Sequence, residues 1–155
     1  MDVTDLIGPQ HVIAATQASD KPQLLRELSE RAGRILGTES QTILDALRSR
    51  EMLGSTGVGQ GVALPHARIG GLSNFFGLFA RMERPIAFEA IDELPVDLVF
   101  LLLMPERAGA NHLAALACVS RRLRDGDVAT RLRAAKSTLE LYRILTDVSS
   151  EPRRE

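Results

Sequence analysis

Apolar residues recur along the chain with two different periods, and the changes of period divide it into elements. Leu24, Leu25, Leu28, Ala32, Ile35 and Leu36 fall at helical spacing, which predicts a helix over residues 22–36. Pro22 suits its first position and Gly37 its stop. A second helix is predicted over 40–50, with Ile43, Leu44 and Leu47 as its apolar stripe and Thr38 with Gln41 as a capping box. The pattern then breaks: residues 54–61 hold four glycines, too costly for a helix, and predict a loop with special backbone angles. Val62, Ala63 and Leu64 read as a short buried strand cut by Pro65, which removes a ladder donor and pushes Leu64 towards extended angles. His66 then sits at a strand end on stiffened backbone. Further strands are predicted over 74–81 and 96–103, the second a continuous apolar run of the kind covered on both faces. Three helices close the pattern, over 111–124, 127–135 and 138–148. Asp127 is the expected N-cap of the middle one, and Ser137 with Glu140 the capping box of the last.

Strands mixed with helices at this size predict an α/β fold, a three-layer sandwich in which helices flank both faces of a small mixed β-sheet. No internal repeat or low-complexity linker divides the chain. It reads as a single domain over 1–155, with a core of about 5–148 and a polar, frayed tail after Val148.

Composition narrows the possibilities. The 155 residues are 45% hydrophobic and 25% charged, enough for a sizeable core without metal or disulfide. A formal net charge of −1 gives no electrostatic footprint for nucleic acid. Arg121, Arg122, Arg124, Arg131 and Arg133 form a local basic cluster, read as a solvated helical face or a docking surface for an acidic partner. The single cysteine, Cys118, lies in an apolar run without a CxxC partner and reads as a buried small hydrophobe. The N-terminus has no basic or apolar signal region, and the longest apolar run is too short to span a bilayer. A soluble, cytoplasmic protein without direct membrane insertion is expected.

The candidate chemistry centres on Arg50, the glycine loop, His66 and His112. Imidazole attacks phosphorus well when one ring nitrogen is unprotonated and the other is held; the competing reading of His66 is a histidine that satisfies a turn. The glycine loop can bring backbone N–H groups close to an anion, with hydroxyls from Ser55 and Thr56 beside Gly57 and Gly59, or it can be a plain connection. It is neither a P-loop nor a dinucleotide fingerprint, since no Gly-Lys-Ser/Thr follows and the glycine spacing is wrong. Arg50 can grip a phosphoryl group with two donors or simply answer a helix dipole. His112 opens a predicted helix, as a core-edge residue or as a donor to a phosphoryl group. Three histidines and one cysteine without HExxH or paired-Cys spacing imply no metal. No GxSxG motif supports a serine hydrolase, and Asp92-Glu93 reads as a solvated turn.

The run from Arg50 through Gly54-Ser55-Thr56-Gly57-Val58-Gly59-Gln60-Gly61 to Pro65-His66 resembles the signature of the mannitol/fructose-class IIA proteins of the phosphoenolpyruvate-dependent phosphotransferase system. The stretches 85–92, 95–100, 131–135 and 140–142 resemble its nitrogen-regulatory branch, and the likeness covers roughly residues 5–148. The resemblance implies an α/β fold, no cofactor, and phosphorylation of His66, at Nε2, by an HPr-like phosphocarrier that an enzyme I has charged. It makes Arg50 and His112 the other active-site residues. It implies a phosphotransferase component acting mainly in regulation, with targets such as potassium-transport or sensor proteins. The alternatives are a fructose- or mannitol-transport IIA that passes phosphate to a IIB partner, and a non-catalytic binding module. Gln60 stands where the family often has Asn, and Ala67 where many members have Gly; both can alter loop geometry and rate.

Overall fold

The computed structural model describes residues 1–107 and 109–147. A 3-10 turn at Val3–Asp5 leads to β1 (Val12–Thr16), α1 (Lys21–Leu36) and α2 (Ser40–Glu51). Three short strands follow, β2 (Gly57–Gly59), β3 (Val62–Ala63) and β4 (His66–Ile69), and then two long ones, β5 (Phe76–Ile86) and β6 (Val96–Pro105). The chain ends in α3 (Asn111–Arg124), α4 (Gly126–Ala134) and α5 (Thr138–Thr146).

The six strands form one mixed sheet in the order β1-β5-β6-β3-β2, with β4 also paired to β6. β5 and β6 run antiparallel, whereas β1 is parallel to β5 and both β3 and β4 are parallel to β6. Side-chain alternation along β6 builds two cores. Val99, Leu101 and Leu103 pack with Leu24, Leu28, Ile43 and Leu47 of α1 and α2. Leu98, Phe100, Leu102 and Met104 pack with Val119, Leu123, Leu132 and Leu141 of α3, α4 and α5. These β6 residues are almost wholly buried, each contributing ~1.5–3 kcal/mol of apolar burial, and helices do cover both faces as the unbroken run implied.

β3 and β4 are one strand interrupted. Ala63 pairs with Val99 and His66 with Leu102, so the register against β6 is unchanged across Leu64-Pro65. The strand was expected to stop at Pro65; instead pairing resumes behind it, since Pro65 has no N–H to give but its carbonyl accepts from the Leu102 N–H at 3.0 Å. The Leu64 N–H faces the opposite edge, towards β2, and donates to the Thr56 carbonyl at 2.9 Å. His66 therefore opens β4 instead of closing β3.

Several element ends differ from expectation. α1 is capped by Asp20, whose side chain accepts from the Gln23 N–H, and Pro22 falls at the second helical position. α2 has no side-chain cap: Glu39, not Thr38, precedes it. Asp125 takes the cap of α4 by accepting from the Asp127 and Val128 N–H groups, because the helix starts at Gly126 and leaves Asp127 inside its first turn. Ser137 caps α5, but the Glu140 carboxylate returns to the Lys136 N–H in place of the Ser137 one. The predicted end of that helix at Val148, and the tail, lie outside the described residues. Part of the glycine-rich stretch is β2, and β1 has no counterpart in the predicted pattern.

Candidate functional site

The C-terminal end of α2, the interrupted β3–β4 strand and the start of α3 border one open cleft of about 770 Å³, lined by Arg50, Leu53, His66, Arg68, His112 and Leu113 among others. The three residues singled out at the outset, Arg50, His66 and His112, thus meet on one surface although they come from three elements.

Both ring nitrogens of His66 have partners. Nδ1 lies 2.8 Å from the Leu64 carbonyl, which can only accept, so Nδ1 carries the proton. Nε2 lies 3.3 Å from the Nε of Arg50, which can only donate, so Nε2 presents its lone pair. The ring is half-buried, and that burial is the main cause that holds its pKa below the ordinary 6.5. The Leu64 hydrogen bond and Glu51 oppose the shift, while the Arg50 charge adds to it. The result is a neutral imidazole with one tautomer selected. Arg50 is itself held, with Nη1 donating to the Gly54 carbonyl at 2.8 Å.

His112 is buried at 5% exposure. Its Nε2 lies 2.8 Å from the Pro105 carbonyl at the end of β6, which makes Nε2 the protonated nitrogen. Nδ1 has no partner among the described residues. The Phe75 ring meets it edge-on with centroids 6.3 Å apart.

The loop residues have other work. The Ser55 hydroxyl donates to the Phe88 carbonyl at 2.8 Å and accepts from the Gly57 N–H at 3.0 Å. The Thr56 hydroxyl and N–H both donate to the Glu51 carboxylate. Gly57 packs so closely on Ala90 that a Cβ would lie 2.8 Å from its Cα. Gly59 leads into a two-residue hairpin turn at Gln60-Gly61, both at positive φ, with Asp92 accepting from the Gln60 N–H at 2.8 Å and Arg133 donating to its carbonyl at 2.9 Å. None of Ser55, Thr56, Gly57 and Gly59 lines the cleft. They were expected to cradle an anion; the bonds they make here shape the loop, and Asp92, expected as a solvated turn residue, pins its tip.

Two of the five clustered arginines are structural. Arg122 is buried and donates to the Ile144 carbonyl at 2.6 Å, and Arg133 pairs with Asp97 at 2.8 Å. Cys118 is buried, which pushes its thiol pKa up. Among the described residues no group of three His, Cys, Asp or Glu could hold a metal, and no helix is long and apolar enough to cross a membrane.

Glu51 was not foreseen. Its side chain is 7% exposed and pairs with Lys21 at 2.8 Å. An acidic residue at the end of a helix, where the dipole disfavours it, beside a glycine-rich loop was the available signal.

Fold and site define an α/β protein that presents an oriented, neutral imidazole in an open cleft beside a guanidinium. The chain belongs to the family described as phosphoenolpyruvate-dependent sugar phosphotransferase system, EIIA 2, which matches residues 5–148. It is 48% identical over 145 residues to a nitrogen regulatory protein of Bradyrhizobium diazoefficiens, covering 94% of this chain and 95% of that protein. It is 37% identical over 153 residues to the nitrogen regulatory protein of Escherichia coli K12, covering 98% and 94%. The crystal structure of nitrogen regulatory protein IIA-Ntr from Neisseria meningitidis matches with a TM-score of 0.88 at 33% identity, covering 93% of this chain and 99% of that one.

Proposed function

We propose that the protein is a cytoplasmic regulatory phosphocarrier that accepts a phosphoryl group on Nε2 of His66 from an HPr-like protein and controls protein targets through its phosphorylation state. The observation that carries the reading is the pair of contacts on the His66 ring, which leaves Nε2 as the lone-pair nitrogen and faces it into the cleft region where Arg50 stands. In the reaction, Nε2 attacks phosphorus in line as the donor's nitrogen–phosphorus bond breaks and the donor imidazole leaves with that electron pair. The Nδ1 proton stays on its hydrogen bond to Leu64, so His66 needs no base. Arg50 gives up its contact with Nε2 and turns its donors to the phosphoryl oxygens, where negative charge spreads during transfer. His112 lines the same cleft as a second imidazole beside the incoming group.

The apolar residues Leu53 and Leu113 are 84% and 74% exposed at the cleft, which suits a protein donor rather than a small molecule. Phosphorylation adds roughly two negative charges there by analogy with other phosphorylated side chains, enough to change which partner binds. The nitrogen-regulatory names of the relatives support a regulatory role over sugar transport. The test is intact mass after mixing with phosphoenolpyruvate, enzyme I and an HPr-like carrier, with His66→Ala in parallel. An acid-labile gain of one phosphoryl group, absent from the variant, is expected; no gain from a demonstrably charged cognate carrier refutes the reading.

A further inference from the structure

The hydrogen bond that selects the His66 tautomer is the last in a chain that begins at the other side of the glycine loop. Lys21, the first residue of α1, reaches the Glu51 carboxylate at 2.8 Å. The same carboxylate accepts from the Thr56 N–H at 3.2 Å and from the Thr56 hydroxyl. The Thr56 carbonyl accepts from the Leu64 N–H at 2.9 Å, and the Leu64 carbonyl accepts from Nδ1 of His66 at 2.8 Å. Every link has at least one group of fixed character, an ammonium, a carboxylate, a backbone N–H or a carbonyl, so the hydroxyl of Thr56 and Nδ1 of His66 must donate and the chain has one direction.

We propose that Glu51, set by Lys21, is a positioning residue for His66: it fixes Thr56, and through Thr56 and Leu64 it holds the ring in the Nδ1–H tautomer with Nε2 as the lone-pair nitrogen. This rests on the phosphocarrier reading for its consequence in transfer, though not for the ring geometry.

Three observations support a positioning role over simple packing. Glu51 ends α2, where the helix dipole opposes a negative charge, and it is buried, where a carboxylate is costly unless paired and hydrogen-bonded. A residue placed there only to fill space would be apolar or would turn to solvent. Second, Glu51 follows Arg50 directly, and the two grip the loop at neighbouring points: Arg50 takes the Gly54 carbonyl and Glu51 the Thr56 N–H. One helix end thus sets both ring nitrogens, Nε2 directly through Arg50 and Nδ1 through Thr56 and Leu64. Third, Leu64 faces the β2 edge of the strand, away from β6, so its N–H meets Thr56 and its carbonyl meets His66 on the loop side. Lys21 is anchored in its turn over the Phe88 ring, 4.4 Å from the centroid, and Phe88 accepts from Ser55 in the same loop.

The variants are Glu51→Ala, Lys21→Met and the double variant Lys21→Met/Glu51→Gln, which keeps an oxygen for the Thr56 N–H while removing both charges together. Glu89→Gln serves as control, since the Glu89 side chain is 83% exposed and only brushes Lys21 at 3.4 Å. Nitrogen-15 NMR of the imidazole reads the tautomer, and single-turnover transfer from the charged carrier reads the rate. In Glu51→Ala the Nδ1–H form is expected to give way to a mixture, and transfer to slow by about tenfold at unchanged carrier KM, the low end of what loss of a partner that orients a histidine costs in metal sites. Lys21→Met is expected to move both readouts the same way by less. The double variant restores both, and Glu89→Gln changes neither. An unchanged tautomer in folded Glu51→Ala, or a mixed tautomer with undiminished transfer, overturns the proposal; should Glu51→Ala not fold, unchanged readouts in Lys21→Met overturn it instead. A wild-type protein that accepts no phosphoryl group refutes the phosphocarrier reading while the NMR result still decides the positioning.

Discussion

The Nε–H of Arg50 meets the Nε2 of His66 at 3.3 Å, so in the resting protein the guanidinium occupies the lone pair of the nitrogen proposed to react. The contact keeps the ring oriented and neutral, and it must be exchanged for phosphoryl oxygens during transfer. Arg50→Lys is expected to keep the positive charge but lose the fork that holds Gly54 and the ring together. Single-turnover transfer should fall by about 10²-fold, the scale of losing one well-aimed donor to developing charge. Thermal stability should stay within a few degrees, because the Arg50 side chain is only half-buried.

The pH dependence follows from the lowered pKa of His66, whose first cause is burial. Nε2 must be unprotonated to attack, so transfer should persist as pH falls through 6.5 and decline only at more acid values. For stability the sign is fixed by proton counting: between the folded pKa and 6.5 the unfolded chain binds more protons, so stability falls as pH falls through that window. His11, also shifted down by burial, adds to the same trend. His66→Gln should flatten part of the stability profile, measured by thermal melts from pH 7.5 to 5; an equal slope in wild type and variant would count against a depressed His66.

The long elements were legible in the chain because their periods are long enough to read: the 3.6-residue stripe of α1 and the unbroken run of β6 leave few alternatives. β1 was not, since Val12–Thr16 is five residues with two alanines and becomes a strand only by pairing with β5. The caps of α2 and α4 slipped because several polar residues compete at each start, and tertiary packing chooses among them. Arg50, His66 and His112 were recognisable as candidates and do meet at one cleft, yet the partners of Ser55 and Thr56 were not, because Phe88 and Glu51 reach them only in the folded chain.

Gln60 and Gly61 both have positive φ, 59° and 82°, the requirement of the tight hairpin turn in which Asn-Gly is the favoured pair. Asn visits the left-handed region more readily than other non-glycine residues, and Gln carries a cost there that Asn largely escapes. Gln60→Asn is expected to stabilise the protein by ~0.5–1 kcal/mol, or about 1–4 °C in Tm. The exposed side chain leaves no packing to lose. A lower Tm would show that Gln60 makes a contact worth more than the strain.

Gly57 is held for space rather than for angle. A Cβ there would lie 2.8 Å from both Cα and Cβ of Ala90, and the Gly57 carbonyl accepts from the Ile91 N–H at 3.2 Å. Gly57→Ala should therefore force the 88–91 segment away and cost about 1–3 kcal/mol. The strain would reach Thr56 next door, so denaturant melts should show the loss together with slower transfer to His66.

The exposed leucines at the cleft separate docking from chemistry. Leu53 and Leu113 touch no ring nitrogen and bury little in the free protein, so replacing either with Asp should leave Tm and the His66 tautomer unchanged. If a protein carrier seats on this rim, each change removes an apolar contact and sets a carboxylate near an incoming phosphoryl group, which repels it. The carrier KM should then rise by roughly tenfold for ~1.4 kcal/mol of lost binding, while the single-turnover rate at saturating carrier stays near wild type. That split is the signature of lost uniform binding. A fall in the saturated rate with KM unchanged would mean instead that these residues shape the reacting centre, and the docking face would have to lie elsewhere.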